Sequence, residues 1–348
     1  MSSRRQRRTE QRGRYTRTAP QQRGSLRWER ERRRQRLTMV IAAMVILLVL
    51  AIPAIGYYNS FVAPPRRWVA KVNDETITLG YLGKVVAMNA VGVTSEQQSA
   101  LASLPFQMLN NLVRARLVRQ KAGGLGIAVT PDEVEQGLRD RFYPRVPEGQ
   151  QADTAQLDRE YKEQYRQFLN QVKLSDQEYR EIVRDQSLQD KLREQLGLAI
   201  PPLAEHVFAH WIVVGDFSVA DQVDSKLKAG EDFAALATQY NQDTFYANQQ
   251  GEVGWVPKGA FPDLDAALFK ETREQAWERV DLGEVTYFIQ VTGVPETREV
   301  ALEMRELLKR SSLDQWVEEQ YKTNDVKVSF DSDDYEWVMK RVRISAQA

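Results

Sequence analysis

Between Met39 and Phe61 the chain carries no charged residue: MVIAAMVILLVLAIPAIGYYNSF. Wound as a helix at about 1.5 Å per residue, such a run crosses the roughly 30 Å hydrocarbon layer of a bilayer with room for tilt. Pro53 is tolerated inside a helix of this kind. Tyr57, Tyr58 and Phe61 stand at the far end, where an aromatic belt belongs. A cleaved signal peptide is the competing reading, but the run is too long for a signal h-region and no A-x-A site follows it.

The charge distribution gives the run a direction. Residues 1–37 hold 14 Arg against Glu10, Glu29 and Glu31, a net of +11, in a chain whose total is zero. The positive-inside rule then predicts an Arg-rich cytoplasmic arm over 1–37, a single transmembrane helix over 38–62 and the remainder outside the cytoplasm. The arm lacks apolar periodicity and is expected to be disordered. It reads first as a topology signal, and anionic lipid is the partner its charge fits. RNA or a cytoplasmic protein on the arm is a weaker reading, and zero net charge argues against nucleic-acid binding by the whole chain.

About 285 residues follow the run, enough for two globular units. The chain has no cysteine, which excludes disulfides and thiolate chemistry. Ala63-Pro64-Pro65 reads as a stiff linker. Trp68 to Leu79 reads as a hairpin turning at Asn73-Asp74. Leu101 to Lys121 has the apolar spacing of a helix with one buried face, stopped by Gly123-Gly124. Thr130-Pro131-Asp132-Glu133 and Ser175-Asp176-Gln177-Glu178 are capping boxes that open two more helices. Residues 143–158 read as a loop between them, and Pro201-Pro202 as a boundary.

The pattern then changes to a small α+β unit. His206 to Val214 reads as a strand, Val219–Leu227 and Phe233–Tyr240 as helices, 241–262 as a long loop, Asp263–Phe269 as a short helix and Val285–Thr292 as a strand. Ala301 to Tyr321 is helical again, and Val326 to Phe330 is strand-like. No H-E-x-x-H, Walker loop or Rossmann fingerprint occurs, and the two histidines, His206 and His210, lie on one strand. No metal or cofactor is expected.

This order resembles the SurA/PrsA-like foldases of bacterial envelopes, in which a helical chaperone domain is interrupted by a parvulin-type (PpiC) peptidyl-prolyl isomerase domain. Val72-Asn-Asp-Glu-Thr-Ile-Thr78 is similar to the family's VNGexIT, and Leu125-Gly-Ile-Ala-Val-Thr-Pro-Asp-Glu-Val134 to its LGI.VsdeEV. Ala209-His210-Trp-Ile-Val-Val214 resembles the parvulin first strand, aRHILV. Leu227-Lys-Ala-Gly-Glu-Asp-Phe233 through Asp243 follows LkkGedFaeLAkkySqD, and Gly251-Glu-Val-Gly254-Trp255 follows GGdLGWf. The resemblance implies an α+β fold with a helical chaperone-like domain over 66–200, a parvulin-like domain over 203–298 and a C-terminal segment, 299–348, packing back on the helical domain.

It also implies the site. His210 would match the first of two site histidines, Asp243 the polar Asp/Cys position, and Tyr287 would replace the second histidine. Phe261 and Leu264 would stand for the pocket Met and Phe, with Trp255 beside them, while Glu284 falls on an apolar pocket position. Prolyl isomerisation needs an apolar cup for the ring and a polar network tuned to the twisted amide, with no nucleophile. The implied function is an anchored folding factor that binds unfolded or newly translocated polypeptides, with the Tyr at 287 weakening or abolishing isomerase activity. The alternative is an inactive parvulin fold kept as a chaperone, scaffold or interaction module.

Overall fold

The structure is a computed structural model that describes residues 25–58, 62–91, 98–146, 153–271 and 276–346. Of the arm expected to be disordered over 1–37, residues 1–24 lie outside them, whereas 25–37 are helical; the end of the apolar run at 59–61 and part of the loop at 143–158 also lie outside. The chain divides into two units, Met1–Ala63 and Pro64–Ala348.

In the first unit one helix, α1 (Ser25–Tyr57), carries the apolar run with Pro53 inside it. Met39, Met44, Leu47 and Leu50 are all more than 60 % exposed. Among the described residues, no helix is long and apolar enough to cross a membrane.

The second unit is a mixed α+β structure. Its hairpin, β1 (Trp68–Val72) and β2 (Glu75–Thr78), turns at Asn73, which takes a positive φ of 52°. Thr78 caps α2 (Leu79–Ala90) by accepting from the amide of Tyr81. Next come α3 (Gln98–Ala122), α4 (Pro131–Phe142), α5 (Thr154–Val172) and α6 (Asp176–Gly197). Both capping boxes form. The Glu133 amide donates to the Thr130 hydroxyl at 3.2 Å, and the Glu133 carboxylate accepts from the Thr130 amide at 2.8 Å. Ser175 and Glu178 repeat the exchange at 3.2 and 2.7 Å. The region 143–158 is shorter as a loop than expected, because Asp153 caps α5 from Thr154 onward.

These helices share one apolar core with the hairpin. Val69, Leu82, Val113, Leu117, Leu138 and Leu192 are buried in it. Within it Asp185 of α6, 4 % exposed, accepts from Arg119 Nε and Nη2 of α3 at 2.7 and 2.6 Å.

The small α+β part is built on β3 (Leu203–Val214), β4 (Glu252–Pro257), β5 (Glu278–Leu282) and β6 (Val285–Glu299), an antiparallel sheet in the order β4-β3-β6-β5. Three features differ from the sequence reading. A strand, β4, interrupts the expected long loop at 241–262; β5 precedes the expected strand; and that strand continues to Glu299 as it pairs along β3 past a register shift. Helices α7 (Phe217–Lys228) and α8 (Phe233–Tyr240), capped by Asp216 and Asp232, cover one face through Ile212, Val214, Leu236 and Phe288. The short α9 (Pro262–Leu268) covers the other through Trp211, Leu264, Leu268 and Ile289.

The chain then returns to the helical part. α10 (Leu302–Thr323) packs on α6 and α3. β7 (Val326–Val328) adds to β1, giving an antiparallel sheet in the order β2-β1-β7. A further helix, α11 (Ser332–Ala346), which the polar segment did not reveal, packs on α2.

Candidate functional site

Side-chain parity along β3 decides what can meet. Successive residues of a strand point to opposite faces. Val207, Ala209 and Trp211 therefore enter the α9 side, while Ile212 and Val214 enter the α7–α8 side. On β6, Tyr287 and Ile289 share the α9 side with Trp211, and Phe288 belongs to the other.

The loop after α8 delivers a carboxylate to Trp211. Asn241 pins the loop to the strand, its Oδ1 accepting from the amides of Val213 at 2.9 Å and Asp243 at 3.2 Å. Asp243 Oδ2 accepts from the Trp211 indole N–H at 2.7 Å. Its Oδ1 accepts from the amides of Phe245 at 2.8 Å and Tyr246 at 3.1 Å. Three N–H donors thus hold the carboxylate.

Aromatic rings close around this centre. Trp211 is 1 % exposed and meets Phe261, Tyr246 and Tyr287 edge-on, with centroids 5.1, 6.4 and 6.0 Å apart. Tyr246 and Phe261 meet at 5.1 Å. Such T-shaped pairs are the favoured geometry of aromatic rings. Phe261 immediately precedes α9, whose buried Leu264 belongs to the same cluster. Phe245, 81 % exposed, stands edge-on to Tyr246 at the rim. Burial pushes the Tyr287 hydroxyl above its usual range, and the Asp243 carboxylate adds to the shift. Tyr287 therefore keeps its proton at neutral pH.

The remaining expected residues lie elsewhere. His210 faces the α7–α8 side, touching Phe208 at 5.4 Å and lining a cavity of about 660 Å³ with Phe233, Trp277 and Gln290. Trp255 is on the same side, packed on Phe208 at 5.4 Å, with the Arg298 guanidinium 4.1 Å over its ring. Glu284 is exposed in the turn between β5 and β6. Of the expected site, Asp243, Tyr287, Phe261 and Leu264 come together, and Trp211, Tyr246 and Asn241 complete it.

Two known protein families match the chain. The family described as "SurA-like N-terminal domain" matches residues 26–193, and "PPIC-type PPIASE domain" matches 218–293. The chain belongs to the SurA/PrsA-like proteins with a parvulin-type domain. The "Foldase protein PrsA" of Caldanaerobacter subterraneus subsp. tengcongensis is 29 % identical over 165 residues, 47 % of this chain and 48 % of that protein. That of Geobacillus sp. is 34 % identical over 110 residues, 30 % of this chain and 40 % of the relative. These matches span about half or less of the relatives' length. A crystal structure of PrsA from Bacillus anthracis is 16 % identical, with a TM-score of 0.35, covering 69 % of this chain and 96 % of that one.

Within the parvulin-type domain, the ungapped match of Ala209–Val214 to aRHILV itself places Trp211, and not His210, on the histidine. Trp211 is the residue that the fold brings to Asp243 and Tyr287. His210 stands one residue before that position, and neighbouring residues of a strand point to opposite faces, so it cannot take the place of Trp211. What discriminates is parity: Trp211 shares it with the buried Val207 and Ala209.

Chemically, the cluster offers apolar ring faces and a fixed carboxylate. An indole N–H only donates, and it is committed to Asp243. A neutral tyrosine keeps a hydroxyl but has no second tautomer. Neither an indole nor a phenol can exchange a proton between two ring nitrogens as an imidazole can.

Proposed function

We propose that the chain is a membrane-anchored, extracytoplasmic folding factor that binds unfolded polypeptides, and that its parvulin-type domain holds proline-containing segments while isomerising them poorly. The reading rests on the Trp211–Asp243–Tyr287 arrangement. The half-buried rings of Tyr246, Phe261 and Tyr287 around the buried Trp211 supply an apolar contact for proline, and both positions that carry histidine in the family pattern carry residues unable to exchange tautomers. The relatives named foldase support the polypeptide-binding part.

The test is NMR exchange spectroscopy on short Xaa-Pro peptides with the full chain in detergent. Peptide resonances are expected to shift on addition of the wild type while exchange stays near the uncatalysed rate. Trp211→His/Tyr287→His is expected to raise the exchange rate. Fast exchange by the wild type, lost in Tyr287→Phe, would make it a working isomerase instead.

Anchoring is supported by the uncharged run on α1, its exposed apolar side chains and the 14 arginines preceding it. In this reading the arginine-rich arm lies on the cytoplasmic side against anionic headgroups. Carbonate extraction should leave the protein in the membrane fraction, and Leu47→Arg/Leu48→Arg should release it. Release of the wild type would remove the anchor.

A further inference from the structure

Four arginines from four helices line one cavity of the helical part: Arg114 of α3, Arg141 of α4, Arg193 of α6 and Arg310 of α10. Its volume is about 500 Å³. Gln186 and Gln189 of α6 add side-chain amides, and Leu313 is the one apolar residue in the lining. Asp190 and Asp314 supply two carboxylates in the lining, and outside it Glu194 stands beside Arg193 while Glu306 acts on Arg193 and Arg310.

The internal pairing is incomplete. Arg114 is paired with Asp314, and Arg193 Nη2 lies 3.2 Å from Asp190. Arg141 donates only to neutral acceptors, the Tyr179 hydroxyl at 3.2 Å and the Gln186 amide oxygen. Among the described residues, no carboxylate is within ion-pair distance of Arg141 or Arg310. Arg193 Nε makes no hydrogen bond but lies 3.8 Å from the Glu194 carboxylate. Like charges gathered in a concavity repel. Helix stapling accounts for Arg114, for Arg193 and for the neutral hydrogen bonds of Arg141, but leaves the charges of Arg141 and Arg310 without a carboxylate at ion-pair distance among the described residues.

We propose that this cavity binds an oligophosphate, a compact chain of phosphate groups. Guanidinium forks match phosphate oxygens two at a time, and a charge-assisted pair is about twice as strong as a neutral one. The volume lies in the range of small-ligand sites and exceeds what a single phosphate fills. A peptide would need apolar surface beyond Leu313, whereas a chain of oxyanions needs the donors that this lining supplies. The proposal is independent of the parvulin-type domain.

The test is thermal unfolding of the full chain in detergent at matched ionic strength, with sodium tripolyphosphate as probe. A ligand raises the midpoint only by preferring the folded state. The arginines of residues 1–37 are separated from the cavity by including Arg310→Gln and Arg141→Gln, which leave that segment intact. Tripolyphosphate is expected to raise the wild-type midpoint by a few degrees, and orthophosphate by less. Each single substitution should weaken the apparent affinity about tenfold or more, and the double substitution should remove the rise. Arg166→Gln, an exposed arginine of α5, should retain it. Arg310 has no ion-pair partner to lose, so Arg310→Gln remains informative if the double variant fails to fold. No midpoint rise, a full rise in Arg310→Gln, or an equal rise with an oligoglutamate peptide of matched charge would each overturn the proposal.

Discussion

Asp243 uses both carboxylate oxygens on its own surroundings, one on the Trp211 indole and one on two loop amides. That arrangement orients the loop and the indole together, and the carboxylate makes no hydrogen bond to the Tyr287 hydroxyl. His210 has the opposite character. Its Nδ1 is buried without a hydrogen-bond partner, and burial pulls its pKa below the usual value, with Glu252 opposing the shift. A histidine with a depressed folded pKa binds fewer protons folded than unfolded. Its stabilising effect is therefore present above the unfolded pKa of about 6.5 and is lost as pH falls through the folded value. The unfolding free energy measured in urea should drop more between pH 7 and pH 5 in the wild type than in His210→Gln. Equal slopes would show that His210 does not titrate against the fold.

At the scale of the element, β3 carries two sets of residues for two faces, and the backbone beside it is crowded. Gly251 takes a φ of +80°, accepts from the Trp211 amide at 2.8 Å, and would bring an added Cβ to 2.6 Å from the Trp211 carbonyl oxygen. Both the left-handed backbone and the contact exclude a side chain. Gly251→Ala should cost about 2–4 kcal/mol by urea unfolding, from strain plus displacement of the strand that carries Trp211. A cost under about 1 kcal/mol would mean that the turn can move away without disturbing β3. Much of this level is legible in sequence. The two capping boxes, the Asn73 turn and the Asp216 and Asp232 caps are local patterns whose partners lie within four residues. β4 and β5 are less legible, since their pairing partners are distant in the chain.

At the scale of the molecule, the C-terminal segment finishes structures begun at the start of the second unit. β7 pairs Val326 with Val72 and Val328 with Ala70. α11 buries Val338 and Val342 in the helical core, at 0 % and 3 % exposure. Removing residues 326–348 would unpair one edge of β1 and uncover α2. Burial of the two valines alone is worth about 3–6 kcal/mol as an upper estimate. The truncated chain should unfold at a clearly lower urea midpoint, with some loss of cooperativity. An unchanged midpoint would mean that the segment is an appendage. The sequence showed the strand-like piece and α10, but α11 is rich in charge and its apolar side is defined by what it meets.

The sequence by itself determined the segregation of charge about an uncharged run, the absence of thiol and metal motifs, the starts of most helices and the motifs shared with SurA/PrsA-like proteins. Each depends on composition or on neighbours a few residues apart, where one chain position constrains the next through geometry alone. Only the tertiary structure decided that Trp211 meets Asp243 and Tyr287, that Trp255 lies on the opposite face, and that four arginines from four helices surround one cavity. Those outcomes depend on strand parity and on contacts between segments distant in sequence. A shift of one residue moves every side chain of the strand to the other side of the sheet.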